Sequence, residues 1–213
     1  MLSPLFGLFV VTALANIVTP GMTNIVMMVL AAECGWKKTI PSILATACGL
    51  ALIYALSLSV IGMLIATSPL LFAAVKLAGV FFLLTFARES WKKARRATAI
   101  ARHIDAKRDE TPREMFKKGF LVTLTNPQPV IFSLTVFPQF IDETLSYWPQ
   151  VSTMLAFYLA AGLAVKLTYT ILADRLSRFF LEGRGPAVIY RSSASLLTAI
   201  ALVLLVNIVK GFL

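Results

Sequence analysis

The sequence predicts an all-α membrane protein with about six transmembrane helices arranged as two inverted three-helix repeats. Three observations predict it: long uncharged runs, basic residues gathered into a few loops, and proline breaks at matching places. Of 213 residues, 58% are hydrophobic and only 14% charged, with a mean hydropathy of +0.82. Soluble domains are about 45–50% apolar and about a quarter charged. A bilayer accepts the excess of apolar faces, and each crossing takes roughly 20 residues. A chain this short therefore holds about six crossings, and residues 1–213 read as a single membrane domain.

Charged residues mark off the spans in order. No charge occurs from Leu2 to Ala32, which forms the first span; it follows no basic signal-peptide stretch and is read as retained. The uncharged run from Thr39 to Val75 is too long for one crossing. Thr67-Ser68-Pro69 is a turn signal and divides that run into spans near Ile40–Ala66 and Leu70–Ala87. Three more follow at Gly119–Ile141, Pro149–Ala173 and Ser192–Val209. Residues 1–87 make the first three-helix repeat, 88–118 a basic loop and 119–213 the second repeat.

Orientation follows from the loops. The net charge is +10, and more than half of the 20 basic residues fall in the one stretch from Arg88 to Lys118. These are Arg88, Lys92, Lys93, Arg95, Arg96, Arg102, Lys107, Arg108, Arg113, Lys117 and Lys118. Clustering beside spans records membrane orientation rather than nucleic-acid binding, and it also favours anionic headgroups. Lys37, Lys38, Arg175, Arg178, Arg184 and Arg191 fall on the same side, whereas Asp142–Trp148 has no Lys or Arg. Loop 88–118 is thus expected in the cytoplasm and both termini outside, with Lys210 the one dissenting charge. Trp36, Trp91 and Trp148 fall at predicted span ends, as interfacial indoles do. Ala156, Ala160 and Ala164, spaced by four beside Gly162, suggest a helix-contact stripe.

The same reading limits the chemistry. Cys34 and Cys48 are not a Cys-x-x-Cys pair, and His103 is the single histidine. A four-ligand zinc site and an acid–base constellation both lack the residues they need. No phosphate-binding Gly-rich loop is present, which argues against direct use of ATP. No metal, cofactor or enzymatic role is expected.

The candidate site lies at the two breaks. Thr19-Pro20-Gly21 interrupts the first span, and Asn126-Pro127-Gln128-Pro129 interrupts the fourth. Each is the first span of its half, and an odd number of spans inverts the second half relative to the first. Broken segments at matched positions point to the binding site of an inverted-repeat transporter. Proline removes a donor and clashes with the preceding turn, so nearby carbonyls need partners in protein, water or a ligand. The half-helix after Gly21 presents free N–H groups and a positive dipole end to an anion, with Thr23 and Asn24 beside it. Asn126 and Gln128 both donate and accept, which suits a zwitterion. Thr19, Pro20, Gly21, Thr23, Asn24, Asn126, Pro127 and Gln128 are therefore the candidate substrate-binding residues. Lys166, mid-span, is the candidate coupling residue or else an inward-snorkelling anchor. Lys76 sits nearer a span end, from which it can snorkel outward. No Asp or Glu lies in the middle of a span, so no carboxylate proton relay is visible.

At these residues the chain resembles the LysE/RhtB family of amino-acid exporters. Thr19-Pro20-Gly21 is similar to the family's Pro-Gly-Pro element, with Met22 in the last proline's place. Gly35-Trp36-Lys37-Lys38 with Gly49 and Gly62, and Lys76-Leu77-Ala78-Gly79 followed by Phe82-Leu83, resemble the elements of the next two spans. Phe116 and Gly119, Asn126-Pro127 and then Phe137-Pro138-Gln139-Phe140 resemble the fourth-span signature. Gln128 stands where the family often has lysine, and Pro129 is additional. The resemblance implies export of amino acids or small derivatives, neutral or zwitterionic, from the bacterial cytoplasm across the inner membrane by proton-coupled alternating access. It implies a small-molecule amino-acid substrate, a lipid bilayer around the chain, no nucleic acid and no cofactor; homo-oligomerisation is left open. The competing readings are an exporter of metal or inorganic ions, for which the spans offer few ligands, and a membrane assembly partner.

Overall fold

The computed structural model describes residues 3–96, 110–175 and 185–212. Arg102, His103, Lys107, Arg108, Arg178 and Arg184, which carry part of the loop-charge argument, lie outside the described residues. The helices are α1 Phe6–Val18, α2 Met22–Cys34, α3 Trp36–Thr67, α4 Pro69–Arg96, α5 Pro112–Leu124, α6 Pro127–Thr135, α7 Tyr147–Arg175 and α8 Gly185–Phe212. A 3-10 turn, Phe137–Phe140, follows α6, and no strand occurs among the described residues.

Four helices are long and apolar enough to cross a membrane: Trp36–Met63, Leu70–Lys93, Tyr147–Arg175 and Tyr190–Ile208. Two helix pairs, α1 with α2 and α5 with α6 and its 3-10 turn, pass the same test only together and bend by 49° each, which gives six candidate crossings when each pair counts as one. The chain is thus an all-helical multi-pass membrane protein. Its outer surface carries large apolar side chains, such as Leu70, Phe81 and Met63, at 83%, 69% and 67% exposure. That much exposed hydrocarbon is unfavourable in water and suits lipid.

Boundaries shift from the predicted ones where water permits. α4 continues through Arg96, so Trp91 lies inside the helix and the predicted loop begins helically. Arg, Lys, Glu and Ala are good helix formers, and the apolar run sets only the part that lipid requires. α5 starts within the same predicted loop because Thr111 caps it: the Thr111 hydroxyl accepts from the Glu114 N–H, and the Glu114 carboxylate accepts from the Thr111 N–H at 2.8 Å. Pro112 at the first helical position completes the start signal.

Inside, an aromatic cluster fills the bundle. Phe137 meets Phe9 and Tyr54 edge-on at centroid distances of 5.0 and 4.9 Å, and Tyr54 lies 4.9 Å from Tyr158. α3 packs on α5 and α7, α4 on α8, and α2 on α7. Glycine permits the closest approaches. A Cβ at Gly119 would run into the Ser42 carbonyl oxygen, and one at Gly79 into the Thr135 carbonyl oxygen. The expected alanine stripe is not such a contact: Ala156, Ala160 and Ala164 are exposed. α7 instead buries Met154, Tyr158, Gly162, Lys166, Tyr169 and Ala173, because the polar members of that face cannot be left in hydrocarbon.

The loop before α7 is tied down by Gln150. Its Oε1 accepts from the Asp142 N–H at 3.0 Å and its Nε2 donates to the Asp142 carbonyl at 2.9 Å. Thr144 donates its N–H and hydroxyl to the Asp142 carboxylate, which holds that acid below the usual range. Lys76 reaches this loop as well: its ammonium pairs with Glu143 at 3.1 Å and lies 4.4 Å from the Phe72 ring centre. Lys76 therefore snorkels outward, away from the bundle interior.

Candidate functional site

The breaks are built differently, although their bends agree. α1 stops at Val18 because Pro20 has no N–H to continue the ladder. Thr19 turns extended and its hydroxyl donates back to the Ala15 carbonyl at 2.6 Å. Four carbonyls at the break, those of Ile17, Val18, Thr19 and Pro20, have side-chain partners. Asn24 Nδ2 donates to Ile17 and Thr19 at 2.9 and 3.3 Å. Tyr169 donates to Val18 at 2.5 Å, and Tyr190 to Pro20 at 2.6 Å. For these four carbonyls the protein itself, rather than water or a ligand, supplies the partner.

The donors are another matter. Gly21 is the N-cap of α2 and contributes no side-chain cap, so the first-turn N–H groups of α2 and the positive end of its dipole stay available to an anion. At α6 the opposite holds. Pro127 and Pro129 carry no N–H, and the N–H of Gln128 is taken by the Asn126 Oδ1 at 3.1 Å. The second break is thus closed to anions, and its free polarity is in side chains.

The two breaks touch. Asn126 Nδ2 donates to the Thr23 hydroxyl oxygen at 3.2 Å, linking residues 103 positions apart. Gln128 lies against Gly21, where its Oε1 would be 3.0 Å from an added Cβ. Between them is a cavity of about 50 Å³, where a buried water needs roughly 10–15 Å³ by the same measure. It is a volume for a few waters or one small solute.

Of the residues expected at the site, Thr19, Gly21, Thr23, Asn24, Asn126, Gln128 and Lys166 line this cavity. Pro20 and Pro127 do not; they shape the breaks from behind. Lys166 is 7% exposed, and among the described residues no hydrogen bond or ion pair reaches its ammonium. It leans back over Gly162, with Nζ 3.9 Å from where a Cβ there would stand. Sequence reasoning missed Asn16 and Tyr158, which also line the cavity. Asn16 was visible as the lone amide in the apolar run before Thr19. Tyr158, Gly162 and Lys166 were visible as a spacing of four on α7.

An all-helical multi-pass membrane protein with a small polar cavity where two bent helix pairs meet has the form of a solute translocator. Residues 14–208 match the family described as LysE type translocator, and the chain belongs to that family. Among its relatives is the homoserine/homoserine lactone efflux protein of Salmonella typhimurium, 28% identical over 84% of this chain and 83% of that protein. An uncharacterized membrane protein of Vibrio cholerae is 27% identical over 86% of each chain. Another, from Pseudomonas aeruginosa, is 26% identical over 82% of each. No solved structure matches the chain.

Proposed function

We propose that this protein is a secondary exporter of small neutral or zwitterionic amino acids in the bacterial inner membrane. One observation carries the reading: a buried ammonium, Lys166, shares a cavity with the uncapped start of α2, and among the described residues no carboxylate lines that cavity. A lone charge at membrane depth is costly and is kept for a reason. The counter-ion the cavity lacks is the carboxylate of its cargo. The Gln128 side-chain oxygen Oε1, beside Gly21, is an acceptor for the cargo's ammonium. The efflux activity in the Salmonella relative's name supports the same class of cargo.

The rest of the mechanism belongs to this proposal. Residues 1–87 and 119–213 act as inverted halves of one membrane domain. The site between them opens alternately inward and outward, with the basic segment 88–118 on the cytoplasmic side and both termini outside. Export is coupled to protons, and Lys166, the only ordinarily charged side chain lining the cavity among the described residues, is the coupling residue. Translocation is by binding and exposure, with no covalent step.

The test is efflux of labelled amino acids from loaded vesicles with an imposed pH gradient. Asn126→Ala removes both the α6 cap and the bond to Thr23, and efflux is expected to fall at least about tenfold, a loss of about 1.4 kcal/mol. Unchanged efflux would remove the breaks from the pathway.

A further inference from the structure

Asn16 stands one turn before the first break, on α1, and is 4% exposed. Its Oδ1 accepts from the Tyr158 hydroxyl at 2.8 Å. Its Nδ2 is buried with no hydrogen-bond partner, although the residue lines the cavity. Buried amide donors are almost always paired, and one left without an acceptor is costly. The amide is also held in place. The Tyr158 ring is fixed between Tyr54 and Phe132, at 4.9 and 5.6 Å between ring centres. With its acceptor end committed to that hydroxyl, Asn16 keeps an unpaired, buried donor in the wall of the cavity.

The second coordinate is the distance to Lys166. Tyr158, Gly162 and Lys166 lie on one stripe of α7, a turn apart. Because the Lys166 side chain leans back to the level of Gly162, its ammonium is about one turn, ~5.4 Å along the axis, from the backbone level of Tyr158, the residue whose hydroxyl holds Asn16. That is the span from a carboxylate to an oxygen three or four carbons along the same small molecule. A cargo held by its carboxylate at Lys166 brings a short polar side chain to Asn16.

We infer that Asn16, oriented by Tyr158, is a specificity-determining residue that donates from Nδ2 to a side-chain oxygen of the cargo. The inference rests on the cavity being the amino-acid site. It narrows the substrate class to small amino acids with a hydroxyl or carbonyl oxygen on the side chain, and against aliphatic ones of the same size. A site that hydrogen-bonds a substrate group rejects the analogue lacking it, because its own polar atom is then left unpaired.

The experiment compares homoserine with norvaline, which puts a methyl in place of the hydroxyl, in proteoliposomes of the full chain at equal subsaturating concentration. Wild type is expected to export homoserine at least about tenfold faster. In Asn16→Leu, which keeps the volume and removes the donor, the ratio is expected to fall toward one. Equal rates in wild type would overturn the inference, and so would an undiminished ratio in Asn16→Leu; a water then satisfies Nδ2. Should Asn16→Leu be inactive with both amino acids, Tyr158→Phe decides. It frees the amide to turn, and its ratio is expected to drop by about threefold or more; an unchanged ratio sinks the idea. If wild type exports neither compound nor any other amino acid, the proposed function itself has failed, which is a separate result from loss of discrimination.

Discussion

Lys166 sets up an opposition between stability and transport. Its ammonium is buried without a partner among the described residues, and replacing buried ions by apolar groups of similar volume is often neutral or stabilising, by about 1–4 kcal/mol. Lys166→Met is therefore expected to melt at the same or a higher temperature in detergent while exporting at least about tenfold less. A variant that melts lower and still transports would make the lysine a structural anchor. Tyr190 is the reverse case. It is 2% exposed, and its hydroxyl satisfies the Pro20 carbonyl. Tyr190→Phe strands that carbonyl and is expected to cost about 1–3 kcal/mol, read as a lower midpoint in thermal unfolding. Midpoints equal to wild type would mean that water reaches Pro20 from elsewhere.

At the scale of elements, two helix pairs approach closely because glycine lies between them. Gly119 of α5 faces the Ser42 backbone of α3, so Gly119→Ala must push the helices apart or bend one. Overpacking of this kind typically costs about 1–3 kcal/mol and sometimes more, and a fall in yield and melting temperature is expected. Gly7→Ala is the control: nothing lies within 4 Å of a Cβ there, and helix propensity favours alanine. Equal behaviour of the two variants would refute the close-packing argument. The elements were largely legible in the sequence, because lipid imposes long uncharged runs and prolines end them visibly. Their ends were not. Past the hydrocarbon, α4 and α5 continue on helix propensity and capping, which uncharged runs do not report.

For the whole molecule, what the sequence could not show was which segments meet. The breaks were identified from proline and amide residues, yet the bond between Thr23 and Asn126 joins residues 103 apart, and that between Asn16 and Tyr158 joins residues 142 apart. No local period encodes such pairs. The alanine spacing on α7 misled for the same reason: small residues are as content facing lipid as facing a helix, and only the polar stripe beside them had to be buried. Sidedness, by contrast, is carried by charge alone. The Asp142–Trp148 segment has no basic residue, whereas the end of α4 carries Arg88, Lys92 and Lys93. Translocation retains such clusters in the cytoplasm. With Cys34 and Cys48 replaced by serine, a single cysteine at Ser146 is expected to react with a membrane-impermeant maleimide in intact cells. A single cysteine at Lys92 is expected to react only after the membrane is opened. Both positions are exposed in the fold, so access is set by the side of the membrane rather than by burial. The opposite labelling pattern would invert the whole topology.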